Sequence, residues 1–200
     1  VTGVQTCALP ILLFPPNSIL LNPFILPYYH FWGSYHYIRT SRRVHRFEVR
    51  IFRNNLGVKS YRDSQGFRKY SSEENYLHGE KGTKLRCKKI DAHVFHYSYA
   101  REPKQMKMKS DFFHRFWHND DELKDLTKGS DEAVFEKPDR IEKFGQTHPL
   151  LMHEKVNAQH WKFEYNTRNR NDRTKDKILH ALEERTGIRI GEYKNYILLK

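Results

Sequence analysis

Alternating apolar and polar residues in the first half of the chain predict a sheet. From Phe47 to Ile51 every second residue is apolar, with charged residues between them, which is the period of a half-buried strand. NNLG at 54–57 is a turn signal, and VKSY after it predicts a short partner strand. KLRCKKIDAHVFHYSY, residues 84–99, alternates in the same way and predicts a second strand region.

The pattern changes after Tyr99 and predicts helices. Glu102 and Pro103 are the residue types of an N-cap and a first helical residue. The apolar face of this helix is predicted to contain Met106, Phe113, Phe116 and Trp117. The sequence therefore predicts an α/β fold in which strands precede helices.

Glycine, proline and threonine mark the expected limits of later helices. Gly129 and Gly145 are predicted helix ends, with Pro138 as a start between them. Thr147 is the predicted cap of a helix in THPLLMHEKVNAQHW. Its apolar side is predicted to include Leu151, Val156 and Trp161.

A last helix is predicted to begin at Thr174 and to end at Gly187, because glycine readily adopts the left-handed conformation that ends a helix. Its buried side is predicted to contain Ile178, Leu179 and Leu182. No internal repeat or low-complexity tract interrupts the chain.

The apolar N-terminal stretch matches neither a secretory signal nor a membrane span. The first Lys or Arg is Arg39, so the basic region that opens a signal peptide is missing. Five prolines between Pro10 and Pro27 would break a spanning helix. The first eleven residues, VTGVQTCALPI, resemble a translated sequencing adapter. We interpret residues 1–11 as an artefact and expect the natural protein to extend further toward its N-terminus.

Composition indicates a folded chain, since aromatic residues make up 14% of the sequence. Without residues 1–11, its length suits one domain or most of one. Cys7 falls in the artefact and Cys87 has no second cysteine, so neither a disulfide framework nor a cysteine metal cage is expected. A cytoplasmic setting is therefore predicted.

The net charge of +12 is compatible with a nucleic acid, an anionic membrane face or a phosphate-bearing substrate. Most basic residues alternate with acids, as on solvated helix faces. One stretch is richer in arginine and contains Arg39, Arg42, Arg43, Arg46, Arg50 and Arg53. A basic aromatic nucleic-acid-binding module is therefore the alternative function. We expect this cluster instead to support the sheet and an anionic donor.

Two motifs carry candidate chemistry, whereas MHEKVNAQH lacks the HExxH spacing of zinc proteases. SYRDSQGFRKY places Asp63 after a predicted strand, with Arg68 close by to keep its carboxylate ionised. DAHVFHYSYAREP ends a predicted strand with His96 and Arg101, where open α/β sheets bind ligands. Structural roles stay open for both: Asp63 as a turn residue and His96 as a hydrogen-bonded core histidine.

An ordered series of motifs resembles the C-terminal half of bacterial family 2 glycosyltransferases, which build cell-surface polysaccharide. The motifs are YYHFWGSYHYI, RFEVRIFRNN, SYRDSQGFRKY, IDAHVFHYSYAREP, THPLLM, HWKFEY and TGIRIGEYKNY. The resemblance implies the GT-A fold, which is Rossmann-like. Residues 28–100 would form an acceptor-side GT-A-like part and residues 101–200 a helical extension. Residues 12–27 match the family poorly, which is expected of misread sequence, and we assign them to no domain.

The resemblance implies an inverting transferase that moves a sugar from a nucleotide-sugar donor to a glycan or lipid-linked acceptor. Such enzymes hold Mg²⁺ or Mn²⁺ with an acidic motif in the nucleotide-binding half. The chain contains no Asp-x-Asp pattern, so we expect it to be inactive alone, as a fragment without that half. The resemblance further implies peripheral contact with the inner membrane face and no nucleic-acid partner.

The resemblance also implies roles for individual residues. Asp63 would be the base that takes the proton of the acceptor hydroxyl, and His96 would be a metal partner of the leaving diphosphate. Both are expected to converge on one cleft at the carboxyl ends of the strands. Donor or acceptor binding is assigned to His30, Trp32, Tyr35, Gln65, Arg68 and Arg101. The aromatic members would pack against sugar rings.

Overall fold

A computed structural model describes residues 12–14, 22–61, 66–116, 118–119, 122, 135, 138–169 and 171–199. These residues form a mixed α/β fold, which confirms the predicted class; the GT-A fold stays a prediction. The strands are β1 Leu12–Phe14, β2 Phe24–Trp32, β3 Tyr37–Arg39, β4 Phe47–Arg53, β5 Val58–Ser60, β6 Phe67–Lys69, β7 Thr83–Lys89, β8 Val94–Tyr99, β9 Ile141–Lys143 and β10 Tyr196–Leu198. The helices are α1 Glu73–Leu77, α2 Pro103–His114, α3 His153–Asn157 and α4 Thr174–Thr186, with a 3₁₀ turn at Leu150–Met152.

The chain divides into two compact units that alternate along the sequence. The first unit contains the described residues up to Tyr28, His45–Val94 and the described residues from Gly191 onward. The second contains the described residues of Tyr29–Val44 and Phe95–Ile190. The assignment of residues 28–100 to a GT-A-like part and of 101–200 to a helical extension stays a prediction. Residues 101–200 contain strands β9 and β10 as well as helices.

In the first unit, β4 lies between β1, which is parallel to it, and β2, which is antiparallel. Strand β7 pairs in parallel with β2 and β10 and antiparallel with β6. The predicted strand at Phe47–Ile51 is confirmed, but its predicted pairing with VKSY is wrong. Strand β5 pairs with β6, because both edges of β4 are already occupied.

Apolar side chains from these strands form the core of the first unit. It contains Ile25, Val49, Phe52, Phe67, Leu85, Cys87 and Tyr196. Burial raises the pKa of the Cys87 thiol to about 12, since a buried thiolate would lose its hydration. Cys87 is thus a protonated, structural thiol.

Strand β4 also buries a carboxylate that the alternating pattern assigned to the polar side. The Glu48 carboxylate accepts a hydrogen bond from Arg50 and lies 3.6 Å from His45 Nε2. The Tyr28 hydroxyl is 3.5 Å from the same carboxylate, and burial raises the pKa of this phenol. The buried Glu48 carboxylate therefore has the polar partners that a buried acidic group requires.

The second unit is built on the last part of β2, which pairs antiparallel with β3. Strand β3 pairs antiparallel with β9, and β8 pairs with β2. The predicted helix between Pro138 and Gly145 is wrong, because Ile141–Lys143 completes this sheet as β9. Gly129 lies outside the described residues.

The predicted beginning of α2 is confirmed, with Glu102 as N-cap and Pro103 as first helical residue. Of its predicted apolar face only Met106 is buried, whereas Phe113 and Phe116 are exposed. Trp117 lies outside the described residues. The spacing of apolar residues in the sequence therefore did not determine which of them α2 buries.

The helix predicted after Thr147 is shorter and begins later. The 3₁₀ turn has Pro149 as its N-cap, and α3 has five residues. Leu151 is 93% exposed, and Trp161 lies beyond the helix, so the predicted apolar side is wrong for both. The chain thus makes one short helical turn here instead of a long amphipathic helix.

Helix α4 spans Thr174–Thr186, and Gly187, with a φ of 68°, is its C-cap, so the predicted beginning and end are confirmed. Its buried residue is His180, whereas Ile178 and Leu182 are exposed; the predicted buried side is wrong at those two positions. No helix in the described ranges is long and apolar enough to cross a bilayer.

Candidate functional site

Strands β2 and β8 end side by side in the second unit. His30 lies opposite His96, and the Gly33 amide donates a hydrogen bond to the Tyr99 carbonyl at 2.8 Å. The strands therefore run in the same direction, and their carboxyl ends meet at one edge. In open α/β sheets, ligands bind at this kind of edge.

An aromatic pair lies at this edge. The rings of Trp32 and Tyr99 stack with their centroids 4.7 Å apart and an interplanar angle of 12°. The Arg39 guanidinium is 5.1 Å from the Trp32 ring centroid, and Lys109 Nζ is 5.2 Å from the Tyr99 ring centroid. Tyr99 is 38% exposed. Sequence reasoning named Tyr99 as a strand-end residue but did not count it among the binding residues.

Two buried nitrogen donors near this pair have no hydrogen-bond acceptor among the described residues. They are Trp32 Nε1 and Arg101 Nε. A buried donor without an acceptor is unfavourable, and such groups are often satisfied by water or a ligand. Arg101 follows Tyr99 by two positions, so both donors belong to the segments that end β2 and β8. Ligand oxygen atoms are suitable acceptors for them.

Tyr35 and Tyr97 border the same edge with a histidine. Their rings meet edge to face at 5.5 Å, and the Tyr97 hydroxyl lies 2.9 Å from His148 Nδ1. Burial raises the pKa of Tyr97 and lowers the pKa of His148, although a hydrogen bond with the Tyr35 backbone raises the latter. The phenol therefore donates to a neutral imidazole. Burial raises the pKa of Tyr35, and the positive charge of Arg101 lowers it.

His30 and His96 form a histidine pair with 3.2 Å between their Nδ1 atoms. With metal–nitrogen bonds of about 2.1 Å, this separation corresponds to an N–metal–N angle of about 100°, between the octahedral and tetrahedral values. Imidazoles suit zinc-like metals, whereas Mg²⁺ prefers oxygen ligands. In the described part of the chain, no group of three His, Cys, Asp or Glu side chains could hold a metal ion. The pair alone does not fit Mg²⁺, and the predicted Mg²⁺ or Mn²⁺ stays a prediction.

One more predicted binding residue, Arg68, belongs to the first unit. Its buried guanidinium donates hydrogen bonds to Asn195 Oδ1 at 2.7 Å and to the Lys81 carbonyl at 2.8 Å. Its guanidinium also lies 3.6 Å from the Tyr61 ring centroid, so it anchors the C-terminal segment to β6. Asp63 and Gln65 lie outside the described residues, and the convergence of Asp63 with His96 stays a prediction. In the second unit His30 lies against His96 and Trp32 against Tyr99, while Tyr35 meets Tyr97.

The arginine-rich stretch is largely paired with carboxylates. Within the second unit, Arg39 Nε lies 2.8 Å from Asp139 and Arg42 Nη1 lies 2.6 Å from Glu183. Further pairs join Arg43 to Asp139, Arg46 to Glu192 and Arg50 to Glu48. These contacts neutralise cations that a nucleic-acid site would need for phosphate, so they do not favour the nucleic-acid alternative.

Gly33, which ends the β2 segment of the site, is expected to tolerate no side chain. Its φ is 70°, and a Cβ would collide with the Phe163 ring. Gly33→Ala should therefore lower the free energy of unfolding by about 2–3 kcal/mol, measured by urea denaturation. Gly145→Ala is the matched control, because no described atom lies within 4 Å of its Cβ. Equal stability of the two variants would contradict the close Gly33–Phe163 approach.

Comparisons with known proteins assign nothing to this site. The chain matches no protein-family model, no curated protein and no solved structure.

Proposed function

We propose that this chain binds a sugar at the carboxyl ends of β2 and β8, as the acceptor side of an inverting glycosyltransferase. The observation that carries the proposal is the stacked Trp32–Tyr99 pair beside the unsatisfied donors of Trp32 and Arg101. A sugar ring has an apolar C–H face and a rim of hydroxyl oxygens. Aromatic rings suit the face, and buried N–H groups suit the rim.

Each residue has a distinct proposed task. The exposed part of the Tyr99 ring contacts the sugar, and Trp32 stacks against that ring. Arg101 donates to a hydroxyl or phosphate oxygen, and Tyr35 borders the ligand beside it. The His30–His96 pair fixes the register of the two strands and is the proposed position of a metal partner. No step of the reaction is assigned to that metal.

The proposed chemistry needs one proton transfer. The acceptor hydroxyl oxygen bonds to the anomeric carbon of the nucleotide sugar while the bond to the nucleoside diphosphate breaks on the opposite face. The hydroxyl proton passes to a carboxylate, for which Asp63 is the proposed base. We place this reaction in the cytoplasm, where nucleotide sugars would be the donors.

Titration calorimetry with a panel of oligosaccharides and nucleotide sugars tests the binding proposal. We expect saturable binding by the wild-type chain and about tenfold weaker binding by Tyr99→Ala, because one aromatic contact is lost. Tyr193→Ala, at an exposed tyrosine of the first unit, is the matched control and should bind normally. No binding by the wild type, or equal loss in both variants, would reject the proposed sugar site.

A transfer assay separates an enzyme from a sugar-binding module. The bound oligosaccharide is incubated with nucleotide sugars, Mn²⁺ and a longer protein that includes the nucleotide-binding half, because the chain alone is expected to be inactive. Transfer that falls about 10²–10⁴-fold in Asp63→Asn of that protein, with unchanged sugar affinity, is the result expected of a general base. Transfer at the wild-type rate by Asp63→Asn would assign the base to another carboxylate, and binding without transfer by the longer wild-type protein would leave a sugar-binding module.

A further inference from the structure

Helix α2 and the turn after it expose four large apolar side chains. Met108 is 63% exposed, Phe112 43%, Phe113 49% and Phe116 63%. The three phenylalanine rings lie next to one another, with centroids 5.1–6.2 Å apart. These four residues, the α2 patch, form one exposed apolar cluster, and such clusters often mark a contact with another molecule.

A cation and an anion of the same helix border the α2 patch. Lys104 is exposed, and the Asp111 side chain, which pairs with Lys107 at 2.8 Å, is 29% exposed. At about 100° per residue, Lys104 and Asp111 lie about 20° apart around the helix axis. Lys104 precedes Met108 by about 6 Å along the axis, and Asp111 follows Met108 by about 4.5 Å. The two charges therefore lie on one side of the patch, at similar distances from Met108.

A second copy of the chain fits this arrangement of charges. In a two-fold dimer the same face of both copies forms the interface, so the face must complement itself. If the two α2 helices meet antiparallel at Met108, Lys104 of each copy comes level with Asp111 of the other, to within about 1.5 Å of helix rise. Parallel helices would instead place each charge level with its own counterpart, which is repulsive. The charges thus favour an antiparallel pair.

We infer that the α2 patch joins two copies of the chain in a homodimer, with the α2 helices antiparallel and Met108 near the two-fold axis. In this arrangement Phe112 of each copy lies opposite Lys104 of the other. The lysine stem covers the phenylalanine ring while its ammonium group reaches the neighbouring Asp111. Arg115, the C-cap of α2, lies opposite a position that precedes the partner helix. The inference does not depend on the proposed sugar transfer.

The attachment of α2 to its own unit leaves the patch available for this contact. Met106 is buried, and Lys109 Nζ donates a hydrogen bond to the Ser98 carbonyl at 3.1 Å, near the end of β8. The helix is thus fixed before a second copy binds, and a preformed surface loses little conformational entropy on association.

Sedimentation velocity of the whole chain over a range of concentrations tests the inference. We expect a monomer–dimer equilibrium, with dimer present at about 100 µM. Phe112→Ser/Phe116→Ser should raise the dissociation constant at least about tenfold, because apolar contacts at the interface are lost. Ile178→Ser/Leu182→Ser is the matched control, since it removes two exposed apolar side chains from α4 of the same unit. It should dimerise like the wild type.

An exchange of charges tests the antiparallel arrangement. Lys104→Asp and Asp111→Lys should each raise the dissociation constant about tenfold, because each change brings like charges together twice in a symmetric dimer. The double variant Lys104→Asp/Asp111→Lys restores opposite charges and should dimerise nearly like the wild type. In dilute solution, where the chains are monomeric, all variants should nearly keep the wild-type melting temperature, since the replaced side chains lie on the surface. A monomeric wild type, equal weakening by the α4 control, or a double variant no tighter than the single variants would overturn the inference.

Discussion

Phe31→Ala is expected to lower the free energy of unfolding by about 3–5 kcal/mol, because it empties the aromatic centre of the second unit. Phe31 is 1% exposed. The Phe31 ring stacks on the Tyr97 ring, with 4.5 Å between the ring centroids. It meets the Phe144 ring edge to face, with 4.9 Å between the centroids. Alanine would remove these contacts and leave a cavity that the neighbouring rings can fill only in part.

Urea denaturation followed by circular dichroism measures this loss. Phe112→Ala is the matched control, because it removes the same atoms from an exposed ring of the same unit. Its effect should be about 0.5 kcal/mol or less. Comparable losses in the two variants would mean that Phe31 does not occupy a packed core.

Asp139→Ala should lower the free energy of unfolding by about 3 kcal/mol, since it removes the carboxylate that two arginines share. The Asp139 side chain is 3% exposed. Its Oδ1 lies 2.8 Å from Arg39 Nε, and its Oδ2 lies 3.5 Å from Arg43 Nε. Without the carboxylate the Arg39 and Arg43 charges would face each other beside an empty buried position. Their partial exposure allows some rehydration, which places the expected loss at the lower end of the range for buried pairs.

Glu142→Ala provides the comparison on the same sheet. Glu142 lies on β9, 3.6 Å from Arg140 Nε, and its side chain is about half exposed. Exposed ion pairs contribute less than about 1 kcal/mol, so this variant should be nearly as stable as the wild type. If Asp139→Ala were equally stable in urea, Asp139 would be a surface residue in solution and not the buried partner of Arg39.

The site was partly predictable from local sequence. The end of a strand in HYSYAREP indicated where a ligand could bind, whereas the aromatic residues of HFWGSY were assigned to sugar binding only by the family resemblance. The meeting of Trp32 with Tyr99 could not be deduced, because it depends on the pairing of β2 with β8. Arg68 shows the converse: its motif suggested a ligand, whereas its contacts are with Asn195, Lys81 and Tyr61. An arginine side chain is long enough to serve either role, so its neighbours decide.

The amino-acid sequence by itself determined the features that depend on a few adjacent residues. These are the class of the fold, strand β4, the Glu102–Pro103 beginning of α2 and the Gly187 end of α4. Only the tertiary structure decided which strand pairs with which, why Pro138–Gly145 contains β9, and which side chains of each helix are covered. The physical reason is that caps and turns are set by local backbone conformation. Strand pairing and burial depend instead on distant segments that compete for the same edges and surfaces.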